Sequence, residues 1–142
     1  MKKLLLIFAC LGLFAACQEN NPDDPGKKDQ VDVTGVWELV SVATKANVGS
    51  VTVNVYIDFA ADNSFTLYQK IGEGRYTKFS GSYKLDKETG ALSGSYSGGS
   101  AWGPYTAARS GGSLTLTSAG GKEVDSYKKL DSIPSSVTEN VY

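Results

Sequence analysis

The chain has 142 residues, with 14 basic and 15 acidic side chains, two cysteines and no histidine. A near-neutral balance lacks the basic face that nucleic acid demands, so nucleic acid is not an expected partner. Without histidine, Ser-His-Asp and Cys-His triads and His-ligated zinc sites are excluded.

The first seventeen residues read MKKLLLIFACLGLFAAC. Lys2 and Lys3 precede a short apolar run, Leu4 to Phe14, and Ala15-Ala16 stand directly before Cys17. Charge, apolar run and small residues in that order form a secretory signal ending in a lipobox. The run is shorter than the roughly 20 residues a membrane-spanning helix needs. Phe14 sits where ordinary signal cleavage prefers a small residue, so the expected cut falls between Ala16 and Cys17. Cys17 would then carry acyl chains of the palmitate kind. Each buried methylene contributes about 0.8 kcal/mol, so several chains hold a protein on a membrane with no span of its own. Loss of Lys2 and Lys3 leaves the mature chain about three charges negative. It also removes Cys10, and acylation consumes Cys17. No thiol or disulfide remains, and stability must come from a hydrophobic core.

Residues 18–30, QENNPDDPGKKDQ, contain no Val, Ile, Leu or aromatic side chain. Such a segment cannot offset its ordering entropy by burial and is expected to be a flexible tether. The chain thus divides into a signal peptide over 1–16, the lipidated Cys17 with its tether over 17–30, and one domain over 31–142.

From Val31 the pattern is β. Val36 to Val42 opens the series. Val51 to Phe59 alternates apolar and mostly polar residues, which predicts a half-buried strand with odd positions inward. Ala61-Asp62-Asn63 is turn chemistry, and Ser64 to Gln69 follows as a strand. Arg75 to Leu85 carries Phe79, Gly81, Tyr83 and Leu85 on one face, with Gly81 marking a bulge or bend. Glu88-Thr89-Gly90 turns into Ala91 to Ser97. Beyond Gly98-Gly99 comes Trp102 to Arg109, where Pro104 implies an irregular start or an edge. Gly111-Gly112 leads into Ser113 to Ser118, and Gly120-Gly121 into Lys122 to Leu130. Only the tail after Pro134 has any helical character. Eight short antiparallel strands can close on themselves, so the predicted fold is all-β: a small eight-stranded up-and-down barrel.

Thr34-Gly35-Val36-Trp37 places a Gly-x-Trp at the start of the first strand. This resembles lipocalins and the small lipocalin-like lipoproteins of Bacteroidetes, over Val31 to about Leu130. The resemblance implies that Gly35 permits a tight start and that Trp37 closes the barrel floor. It also implies a late-strand cation across that ring, with Arg109, Lys128 and Lys129 as alternatives. Such a contact contributes about 0.5–2 kcal/mol. The chain departs from typical lipocalins in its shortness and in lacking a long C-terminal helix and a disulfide. Gln18 is compatible with outer-membrane sorting. Glu19 to Asp24 resembles the export signal of Bacteroidetes surface lipoproteins, although a generic polar linker reads the same way. Asp131-Ser132-Ile133 resembles a Bacteroidetes O-glycosylation sequon at Ser132; an Asp-Ser turn is the alternative.

Other chemistry is missing. Gly121-Lys122-Glu123 lacks the glycine spacing of a P-loop, and Gly72-Glu73-Gly74 reads as a hairpin loop. Asp58, Asp62 and Asn63 do not match calcium-loop spacing, and no two acids are singled out as a hydrolytic pair. No metal or cofactor is expected, and no catalytic residue. The aromatic residues are the richer signal, since flat faces with polar tips suit sugars, lipids and protein partners. Trp102 and Tyr105 lie in a glycine-rich stretch suited to a barrel mouth. With Tyr83 and Tyr96 they are the expected ligand contacts. The expectation is a non-enzymatic, outer-membrane-tethered barrel, at the cell surface if the export signal operates, that binds a small apolar or amphipathic molecule. The alternative is an interaction module, either an accessory subunit of an outer-membrane assembly or a hydrolase inhibitor.

Overall fold

A computed structural model describes residues 30–44 and 52–142. The signal peptide, Cys17 and the tether up to residue 29 lie outside those residues. Eight antiparallel strands run β1 (Gly35–Thr44), β2 (Val53–Phe59), β3 (Ser64–Ile71), β4 (Thr77–Leu85), β5 (Ala91–Tyr96), β6 (Ala101–Ser110), β7 (Ser113–Ser118) and β8 (Glu123–Leu130). Each pairs with its neighbour in sequence, and β8 pairs back on β1, closing the barrel. Closure removes every free edge, so Pro104 on β6 has no edge to occupy. A register irregularity accommodates it instead.

The alternation works as expected on β2: Val55, Ile57 and Phe59 are buried. They join Trp37, Phe65, Tyr83, Leu92, Leu114 and Tyr127 in the interior core. On β1 the register slips between Leu39 and Ser41, leaving Val40 as an extra, exposed residue. Gly81 is not at a bulge, since its pairings on both sides are continuous. It is a point of close approach: a Cβ there would lie 2.0 Å from the Ser95 carbonyl oxygen and 2.9 Å from Phe65 Cε1.

The end where β1 begins is closed by Trp37, which has no exposed surface. Its indole Nε1–H donates to the Val33 carbonyl at 2.7 Å. Two of the three expected cations share the ring. The Arg109 guanidinium lies 5.3 Å from the centroid and the Lys129 ammonium 5.9 Å. Lys129 is the direct cross-strand partner of Trp37, whereas Lys128 faces Glu38 and bonds it at 2.8 Å on the outside. Arg109 reaches across from β6 and is held by the carbonyls of Asp32 (3.0 Å) and Gly111 (3.1 Å).

Outside the barrel, Tyr68, Tyr76 and Val137 form a second buried cluster with Tyr56, Ile133 and Val141. The tail holds one short helix, α1 (Ser135–Thr138), which buries Val137 there. Val141 then bridges to Tyr76 in parallel. This pairing belongs to the residues just before β4, which begins at Thr77 rather than Arg75.

Candidate functional site

The half of the barrel away from Trp37 is less completely filled. The irregularity on β6 is central to it. Leu92 pairs with Tyr105 and Gly94 with Trp102, so β6 spends one more residue than β5 across that interval. The extra residue turns Trp102 onto the same inward face as Tyr105, where strict alternation would have pointed it out. Gly103 adopts φ +87°, a left-handed conformation that glycine tolerates best. Gly94 makes the space, since a Cβ there would sit 2.5 Å from Trp102 Cζ2. The indole stands edge-on to Phe65 (5.4 Å, 84°) and tilts against Tyr105 (6.3 Å). Tyr96 packs on Phe65 at 5.7 Å and on Phe79 at 5.6 Å.

Phe65, Tyr96, Trp102 and Tyr105 border a cavity of ≈ 90 Å³. Ile57, Phe65, Leu67 and Leu116 supply its apolar wall. Tyr96, Trp102, Tyr105 and Tyr127 add flat faces with polar tips, and Asp125 adds a carboxylate. Burial raises the Asp125 carboxyl above the usual range, and the Glu123 charge on the same strand adds to the rise. Burial likewise raises the phenols of Tyr105 and Tyr127, with Asp125 the next cause in each case. Among the described residues Asp125 has no ion pair. The Trp102 Nε1–H is buried and has no hydrogen-bond partner among the described residues.

Three of the four expected ligand contacts, Trp102, Tyr105 and Tyr96, therefore meet at one cavity. Tyr83 does not. It lies toward the Trp37 end, where its hydroxyl donates to the Ala60 carbonyl at 2.8 Å and its ring packs on Phe59 at 5.0 Å. Phe79 is 36% exposed and does not fill the interior. Ser132 is exposed just after β8. The residue that sequence reasoning missed is Asp125, since no acid is singled out by spacing. Its signal was the alternation of β8, which puts Asp125 in phase with Tyr127.

No protein-family model matches the chain, and no curated protein does either. Among solved structures, a protein of the DUF4847 family from Bacteroides vulgatus is similar at 14% identity and a TM-score of 0.47. The match covers 70% of this chain and 95% of that one.

Proposed function

We propose that this protein is a lipid-anchored, non-enzymatic barrel of the lipocalin-like kind that binds a small amphipathic molecule by one end in the Trp102–Asp125 cavity. The observation that carries this reading is the convergence of Trp102, Tyr105, Tyr96 and Tyr127 on a space that also holds a carboxylate with no ion pair among the described residues. A cavity of ≈ 90 Å³ is well short of the roughly 300 Å³ of a pocket that engulfs a whole drug-sized ligand. The ligand therefore inserts a head group and leaves the rest outside.

The lipobox at Cys17 supports attachment to a membrane, and Gln18 with Glu19 to Asp24 supports the outer membrane and its surface face. The Val31 amide bonds to the Lys87 carbonyl beside the β4–β5 turn, so the chain joins the barrel at its closed end. A tether from Cys17 to Gln30 spans at most about 45–50 Å. Native mass spectrometry of protein from its own cells tests the binding reading: a stoichiometric bound mass, lost in Trp102→Ala, is expected. Material consistently free of added mass counts against it. Cys17→Ser should move the protein from the detergent phase to the soluble fraction; a variant still bound to membrane contradicts the anchor.

The small cavity volume favours one second reading, an interaction module. Ile71 and Phe79 are exposed at the open end and would form its contact surface. Cross-linking in intact cells that captures one outer-membrane protein, lost in Ile71→Ser with Phe79→Ser, would favour it.

A further inference from the structure

We propose that the occupant of this cavity is a small organic cation, an ammonium or methylated ammonium head group, with Asp125 as its counter-ion and Trp102, Tyr105 and Tyr127 as its aromatic walls. The inference rests on the reading of the cavity as a binding site and names the chemistry of its ligand.

Three observations converge. First, Asp125 turns inward from β8 into an apolar, aromatic setting with no cation beside it among the described residues. A half-buried carboxylate in that setting gives up hydration without a partner in return, unless a ligand supplies the opposite charge. Glu123 stands two residues further toward the open end, and its charge reinforces the negative field there. Second, the other aromatic faces that meet cations on this barrel meet the chain's own. Arg109 and Lys129 sit over Trp37, Lys70 over Tyr76 and Lys78 over Tyr68. Trp102 and Tyr105 have no such partner among the described residues, although they border the unpaired carboxylate. A tryptophan face is the best of the natural cation acceptors. Third, the ≈ 90 Å³ space suits a head group and not an acyl chain or sugar ring. The unpartnered Trp102 Nε1–H offers one donor, which an oxygen on the ligand or a water would satisfy.

The test uses soluble Cys17→Ser protein and two probes of nearly equal shape, choline and its uncharged isostere 3,3-dimethylbutan-1-ol, titrated by calorimetry. Choline is expected to bind at least about tenfold more tightly, the factor that 1.4 kcal/mol of charge-dependent attraction supplies. Asp125→Asn should abolish that preference and leave the isostere's affinity unchanged. Trp102→Leu should weaken choline more than Trp102→Phe does. The Asp125→Asn protein should melt no lower than the parent, because a carboxylate disfavoured by burial is being replaced by a neutral isostere; this separates lost binding from lost fold. Equal affinity for the two probes would overturn the cation assignment while leaving the cavity as a binding site. Failure of both probes to bind overturns the assignment too, and the native mass measurement then judges the binding reading separately. Sedimentation with phosphatidylcholine vesicles, but not with phosphatidylglycerol vesicles, identifies a lipid head group as the source of the cation. Binding of choline without sedimentation identifies a free cation.

Discussion

Replacing Trp37 by alanine tests the closure of the barrel most directly. The ring is wholly buried, its Nε1–H is bonded to the Val33 carbonyl at 2.7 Å, and Arg109 and Lys129 lie over its face. Truncating a buried tryptophan costs about 3–5 kcal/mol in lost transfer and residual cavity. The substitution also strips the Val33 carbonyl of its donor, and Val33 is itself buried; this adds about 1 kcal/mol. The Arg109 bonds to the Asp32 and Gly111 carbonyls survive, so only part of the cation–π attraction is lost. A total of about 4–6 kcal/mol is a large share of the 5–15 kcal/mol that holds a typical domain together. At about 4 °C per kcal/mol for a domain of this length, the melting temperature should fall by roughly 15–25 °C. Circular dichroism or calorimetric melting of soluble Cys17→Ser protein, with and without the change, measures it. Trp37→Phe keeps a ring for Arg109 but loses the Nε1 donor, and should fall between the two. A Trp37→Ala protein melting within about 5 °C of its parent would refute the assignment of Trp37 as the closing residue.

Gly94→Ala should destabilise by about 1–3 kcal/mol and shift Trp102 fluorescence, because the new Cβ meets the Ser82 carbonyl oxygen at 2.4 Å and the indole at 2.5 Å. Gly98→Ala, with nothing within 4 Å, should be neutral in both measurements. Asp32 accepts bonds from the Thr34 hydroxyl (2.6 Å) and amide (2.9 Å), which with Arg109 hold its carboxyl below the usual range. A lowered folded-state pKa stabilises at neutral pH, and that contribution is lost as pH falls below about 4 and through the folded-state value. The melting difference between the parent and Asp32→Asn should therefore be largest near neutrality and shrink in acid; a constant difference contradicts the assignment. Lys128→Ala removes a 2.8 Å ion pair with Glu38 on the outer face. Exposed pairs contribute about 0–1 kcal/mol, so its melting temperature should barely move, in contrast to Trp37→Ala.

The strand count and the interior face of β2 were legible because each follows from short-range pattern, whereas the floor role expected for Trp37 came from the resemblance that its Gly-x-Trp carries. Period-two alternation marks which side chains turn inward, and glycine and asparagine mark where the chain reverses. Eight such segments of modest length, with no helical period between them, leave a closed sheet as the arrangement that buries their apolar faces without open edges. Which cation covers Trp37 was not legible, because it depends on the register between the first strand and the last, some ninety residues apart. That register sets Lys129 beside Trp37 and turns Lys128 to Glu38, while Arg109 arrives from β6, a strand that does not pair with β1. The cavity was hidden for a similar reason. An extra residue on β6 reverses the facing of Trp102, and the bareness of Gly94 on the neighbouring strand lets the ring lie down. Only closure then brings Asp125 of β8 to the same space as Trp102 and Tyr96, strands that alternation alone never relates. Local pattern determined the barrel; long-range register, which one residue more or less inverts, decided what faces its interior and what covers its closed end.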